Sequence, residues 1–253
     1  MQTSKQQQRV RGFSLVELAI VLVIVALLTS GLLLGISAQR SATENTDAQR
    51  QLENIREALL GYAMANGRLP CPADPSTPLS NGGGGEAINC LTPGCPLPPG
   101  APAGTPADNT CSLEFGVLPS RTLGVTEADP WGNRLTYFAG LEFSRPLSWD
   151  EIKSGRRSRF SLETDGRAKI EDGANHPVAS NLPAVIVSHG SRAAGAWQPT
   201  GKQLPGATGD ELENANATLL FISRTPSDTF DDLVMWISPS ILKAKMVAAG
   251  RLP

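Results

Sequence analysis

Histidine and aromatic side chains are scarce in this chain. Its two histidines are His176 and His189, and Phe, Trp and Tyr together make up 5% of the 253 residues. A core must therefore be mostly aliphatic. Two histidines also leave few candidates for general base. Ser188 and His189 are adjacent, so on a strand they point to opposite faces and make poor partners in a catalytic triad. His176 stands before Pro177 in a loop-like context. No G-x-S-x-G, P-loop or H-E-x-x-H pattern occurs. The sequence reads as that of a non-enzyme. Excess positive charge is lacking too. The net charge is −2, and the only candidate basic cluster is Arg156, Arg157 and Arg159, so nucleic acid is not an expected partner.

Charge is unevenly placed. Residues 1–12 hold Lys5, Arg9 and Arg11 and no acid, which leaves 19 basic against 24 acidic residues in the remainder, a net of −5. Residues 18–36, LAIVLVIVALLTSGLLLGI, carry no charge. With residues 13–17 the segment spans roughly 36 Å as a helix, enough for a hydrocarbon core of about 30 Å. It is too long for the apolar core of an ordinary secretory signal. A basic start before an apolar run orients the chain with its N-terminus in the cytoplasm and the rest beyond the inner membrane. Glu17 breaks the apolar flank. A carboxylate at membrane depth costs about 2.5–3.5 kcal/mol and calls for a partner.

Residues 12–17 read G-F-S-L-V-E and lead into the apolar run. This resembles the class III signal of type IV pilins and type II secretion pseudopilins. The resemblance implies cleavage by a prepilin peptidase between Gly12 and Phe13, followed by N-methylation of Phe13. It also implies that Glu17 pairs with the Phe13 amine of a neighbouring subunit during assembly. Expected partners are then the peptidase, other pilin or pseudopilin subunits, an inner-membrane assembly platform and the lipid membrane. A single-pass inner-membrane precursor would pass into a periplasmic or surface filament.

The helix is expected to continue as an amphipathic stretch over 38–67. Leu52, Ile55, Leu59, Tyr62 and Ala63 recur at three- and four-residue steps, and Gly67 and Pro70 end it. Gly31 and Gly35 form a G-x-x-x-G suited to close helix contact. Residues 68–128 are rich in Pro and Gly and hold all four cysteines, Cys71, Cys90, Cys95 and Cys111. An even number in a loop-rich exported segment reads as two disulfides. Three pairings are open, among them Cys90–Cys95 inside Cys71–Cys111. Zinc is the competing reading, but the spacing lacks paired C-x2-C knuckles.

Residues 129–253 read as a β-rich exported domain. Strands are expected at 134–143, 184–188, 218–223 and 233–237, with a hairpin of 159–164 and 167–171 around Asp165-Gly166. Ser238-Pro239 opens a C-terminal helix of about ten residues. The fold class is α+β, a pilin-like long helix packed on an antiparallel sheet. A second resemblance lies here. D-P-W-G-N at 129–133, V-S-H-G at 187–190 and D-D-L-V-M-W at 231–236 are similar to the major pseudopilin of type II secretion. In that family a loop binds calcium, which implies Asp228, Asp231 and Asp232 as ligands here, and oxygen-rich loops suit that ion. The connection over 190–232 is longer than in that family. The large insertion suggests a minor filament subunit of a secretion pseudopilus or a pilus. An exported adhesin or DNA-uptake pilin is the alternative.

Overall fold

The structure, a computed structural model, describes residues 14–90 and 109–253. The chain divides into two compact units, Met1–Glu44 and Asn45–Pro253. One helix, α1 (Leu15–Asn66), begins in the first and ends in the second.

In the first unit the large aliphatic side chains of α1 from Leu15 to Leu28 are 49–86% exposed. Arg40 and Glu44, one turn apart, form an ion pair at 2.8 Å.

The second unit is α+β. After α1 come a 3-10 turn at Leu79–Asn81 and the short strands β1 (Ile88–Cys90), β2 (Asn109–Cys111) and β3 (Phe115–Val117). Then follow α2 (Ser120–Leu123), β4 (Thr136–Ala139), α3 (Leu141–Ser144), α4 (Trp149–Lys153), β5 (Ala168–Glu171), β6 (Pro177–Leu182) and β7 (Ala184–Ser188). The chain closes with α5 (Gly209–Glu213), β8 (Leu220–Ile222), β9 (Leu233–Ile237) and α6 (Pro239–Ala248).

The main sheet is antiparallel, in the order β3-β4-β7-β9. β7 is buried along its whole length, as expected of a strand covered on both faces. Alternation divides its side chains between two cores. Ala184 and Ile186 join Leu52, Ile55, Leu59 and Ala63 of α1, with Leu242 and Met246 of α6. Val185 and Val187 face a second core with Ile170, Leu182 and Phe221. That second core is closed by a smaller sheet, β6-β5-β8, in which β5 and β8 run parallel. The structure therefore adds a mixed sheet to the expected antiparallel one.

Two expected elements differ. No hairpin forms across Asp165-Gly166. Residues 159–164 instead bury Phe160 against Phe143 and turn at Ser161, whose N–H donates to Thr164 Oγ1 at 3.0 Å. A Cβ at Gly166 would meet the Leu182 carbonyl at 2.3 Å, so Gly166 serves close backbone approach rather than a hairpin turn. β5 pairs with β6 through a turn held by Asp172, which accepts from the Ala174 and His176 N–H groups. The second difference is at 134–143, where the strand stops at Ala139 and residues Leu141–Ser144 form α3.

The end of α1 matches its sequence signal. Gly67 takes φ +74° and its N–H donates to Ala63 O at 2.8 Å, the left-handed close that glycine permits.

Candidate functional site

Gly12 and Phe13 lie outside the described residues, as do the Cys95 position and residues 91–108 generally. The first described residues already form a helix start. Ser14 Oγ accepts from Val16 N–H at 3.3 Å, and Glu17 Oε2 accepts from Ser14 N–H at 3.1 Å. Glu17 thus satisfies an N–H at the positive end of the helix. The signal for this was present in the sequence as S-x-x-E.

Among the described residues, no helix is long and apolar enough to cross a membrane. The side chains of residues 29–38, including the Gly31 and Gly35 positions, lie outside the described set.

A second cluster forms between α5 and the approach to β9. Glu211 on α5 meets Asp231 and Asp232 just before β9, with one carboxylate oxygen from each within 4.8 Å of the others. Both oxygens of Glu211, Asp231 Oδ1 and Asp232 Oδ1 are buried without a hydrogen-bond partner. The opposite oxygens are held. Asp231 Oδ2 accepts from Ser191 Oγ and Arg192 N–H, each at 2.9 Å, and Asp232 Oδ2 accepts from Asn214 Nδ2 at 2.8 Å. Gly190 makes the approach possible, since at φ +59° a Cβ there would meet Asp231 O at 2.5 Å. Two cationic or titratable groups border the cluster. Arg192 Nε is 3.4 Å from Glu211 Oε1, and His189 Nδ1 is 3.5 Å from Asp232 Oδ1. Burial raises the pKa of Glu211, and Asp232 and Asp231 raise it further, against the opposing pull of Arg192.

Of the three acids that the resemblance implied as ligands, two lie in this cluster. Asp231 and Asp232 converge, but Asp228 does not join them. It is exposed, and its backbone carbonyl accepts from Arg192 Nη1. The third carboxylate of the cluster is Glu211. Nothing in the sequence spacing pointed to it, because 20 positions separate it from Asp231.

The D-P-W-G-N turn and the V-S-H-G strand end sit beside this cluster. Asp129 Oδ1 accepts from the Trp131 and Asn133 N–H groups, and Asp129 Oδ2 accepts from Ser188 Oγ at 2.7 Å. His189 is buried, with Nε2 at 2.9 Å from Thr136 Oγ1.

In the region of 68–128 a disulfide links Cys71 and Cys111, while the pairing of Cys90 and Cys95 lies outside the described residues. Around Cys71 a partly buried network centres on Glu86. Its carboxylate accepts from Arg68 at 2.6 and 3.1 Å, from Tyr62 Oη at 2.9 Å and from Cys71 N–H at 2.6 Å.

No curated protein and no solved structure matches the chain. Residues 7–33 match the family model of the prokaryotic N-terminal methylation motif. With Gly12, Phe13 and Glu17 inside the matched segment, the chain carries the class III signal of type IV pilins and pseudopilins.

Proposed function

We propose that this protein is a minor filament subunit of a type II secretion pseudopilus or type IV pilus, processed between Gly12 and Phe13 and methylated at Phe13. The methylation motif over residues 7–33 carries this reading. It is supported by the aliphatic side chains from Leu15 to Leu28, which are exposed on the helix and available to membrane or neighbouring subunits. Glu17 is held at the helix start, near the position where a neighbour's new amine would seek a carboxylate. The test is processing. In cells with a prepilin peptidase, wild-type protein should shorten to a chain starting at methylated Phe13. Gly12→Val should accumulate at full length. A mature N-terminus anywhere else overturns the reading.

Calcium is proposed as a structural ion at Glu211, Asp231 and Asp232. Hard carboxylate oxygens from three residues within 4.8 Å of one another, with Arg192 Nε 3.4 Å from Glu211 Oε1, are a donor set of the kind calcium takes. Bound there, the ion would neutralise three like charges and tie α5 to the β9 approach.

A further inference from the structure

A cleft of about 410 Å³ is lined by Arg156, Arg157, Ser158, Phe160 and Arg251. Its wall is fixed by backbone contact. Arg159 N–H donates to Gly67 O at 2.7 Å, and a Cβ at Gly67 would meet Arg157 O at 2.1 Å, so glycine is needed for the segment to lie this close.

The arginines differ in what they already hold. Arg156 donates to Glu151 Oε1 at 2.8 Å and to the Ser158 and Arg159 carbonyls at 3.0 and 2.8 Å. Arg251 donates to Met64 O at 2.8 Å and to Ala65 O, placing a cation at the negative end of α1. Glu151 is shared between Arg156 and Arg159. Burial, with Arg145 and Arg156 close by, lowers the pKa of Arg159. Arg157 is exposed, and no hydrogen bond or ion pair of its side chain is found among the described residues.

Ser158 supplies the second observation. It is 4% exposed, lines the cleft, and its Oγ has no hydrogen-bond partner. A buried hydroxyl without a partner is unfavourable unless something in the cleft accepts from it. An uncommitted guanidinium, two immobilised ones and an orphaned hydroxyl donor make a set that matches an oxyanion. The acidic balance of the remaining chain opposes a long polyanion, and the cleft is larger than a bare phosphate needs.

We propose that this cleft binds the phosphoryl group of a small molecule, with Arg157 as clamp and Ser158 Oγ as buried donor. The experiment titrates the full chain in detergent micelles with inorganic phosphate and with a sugar phosphate, at constant ionic strength, by calorimetry. Saturable binding of either at millimolar concentration supports the site. Equal affinities assign it to free phosphate, and tighter ester binding assigns it to a phosphorylated small molecule. Arg157→Ala should weaken binding roughly tenfold or more. Ser158→Ala should weaken it severalfold while leaving the melting temperature equal or higher, which a merely structural hydroxyl would not do. No binding, or binding unaltered by both substitutions, overturns the proposal. So does tighter, Arg157-dependent binding of a short DNA duplex.

Discussion

Ser188 Oγ donates to Asp129 Oδ2 at 2.7 Å, so the last residue of β7 holds the turn that precedes β4. The same carboxylate accepts two turn N–H groups, from Trp131 and Asn133. Asp129→Ala removes the acceptor of Asn133 N–H and Ser188 Oγ, both on buried residues, and it should cost about 2–3 kcal/mol in denaturant unfolding. The pH dependence has a definite sign. Burial raises the Asp129 pKa, outweighing the hydrogen bonds that lower it. A carboxyl raised on folding contributes stability that is fully present below its unfolded pKa and lost as pH rises through the folded pKa. The wild-type minus Asp129→Asn stability difference should therefore fall as pH rises across that window. A difference that grows with pH would contradict it.

The carboxylates of Glu211, Asp231 and Asp232 make a paired prediction. At a calcium concentration one hundred times the dissociation constant, the ion should add about 2.7 kcal/mol. For a chain of this size that is a rise of about 5–10 °C in melting temperature. Glu211→Gln should abolish the rise. Without calcium the same substitution should leave stability equal or higher, because it removes one of three crowded charges. Affinity should fall as pH drops through the raised Glu211 pKa, since proton and metal compete for the same oxygens. An identical melting temperature with calcium and with chelator would remove the ion from the account.

What the sequence made legible is what its local signals encode. The end of α1 at Gly67, strands β7 and β9 and the ten-residue α6 carry periodicity, turn residues or a Ser-Pro start. The failures have a common cause in tertiary contact. Asp165-Gly166 looks like a hairpin turn, yet Gly166 is there to admit the Leu182 backbone. The parallel pairing of β5 with β8 depends on segments 49 positions apart, with no local trace. Asp231 and Asp232 were readable from a resembling motif, whereas Glu211 reaches them only because α5 folds back. Asp228 fails for the converse reason, as nearness in sequence does not turn its side chain inward.

The Cys71–Cys111 bond joins positions 40 apart. Closing a loop of that length removes conformational entropy from the unfolded chain, worth about 4 kcal/mol in the loop-closure estimate. The Cys71→Ala/Cys111→Ala variant should lose stability of that order, read from denaturant midpoints at constant slope. A loss below about 1 kcal/mol would mean that the Glu86 network alone holds the region.

Glu86 is that network's hub, and it belongs to a stretch whose composition promised only loop. Its ion pair with Arg68 is nearly buried, at 10% and 12% side-chain exposure. Arg68 also lies over the Tyr62 ring, 5.5 Å from its centre, and burial, with Glu86 beside it, raises the Tyr62 pKa. Glu86→Ala removes the acceptor of the Tyr62 hydroxyl and Cys71 N–H and the counter-charge of Arg68, which keeps only the Leu69 and Ser144 carbonyls, so it should cost about 3–5 kcal/mol. Arg68→Met alone strands the carboxylate and should cost a similar amount. The double variant Arg68→Met/Glu86→Leu removes both charges and should lose clearly less than the sum of the singles, because the penalty in each is mainly an uncompensated buried ion. Strict additivity in that cycle would show that the two side chains act independently, contrary to the geometry.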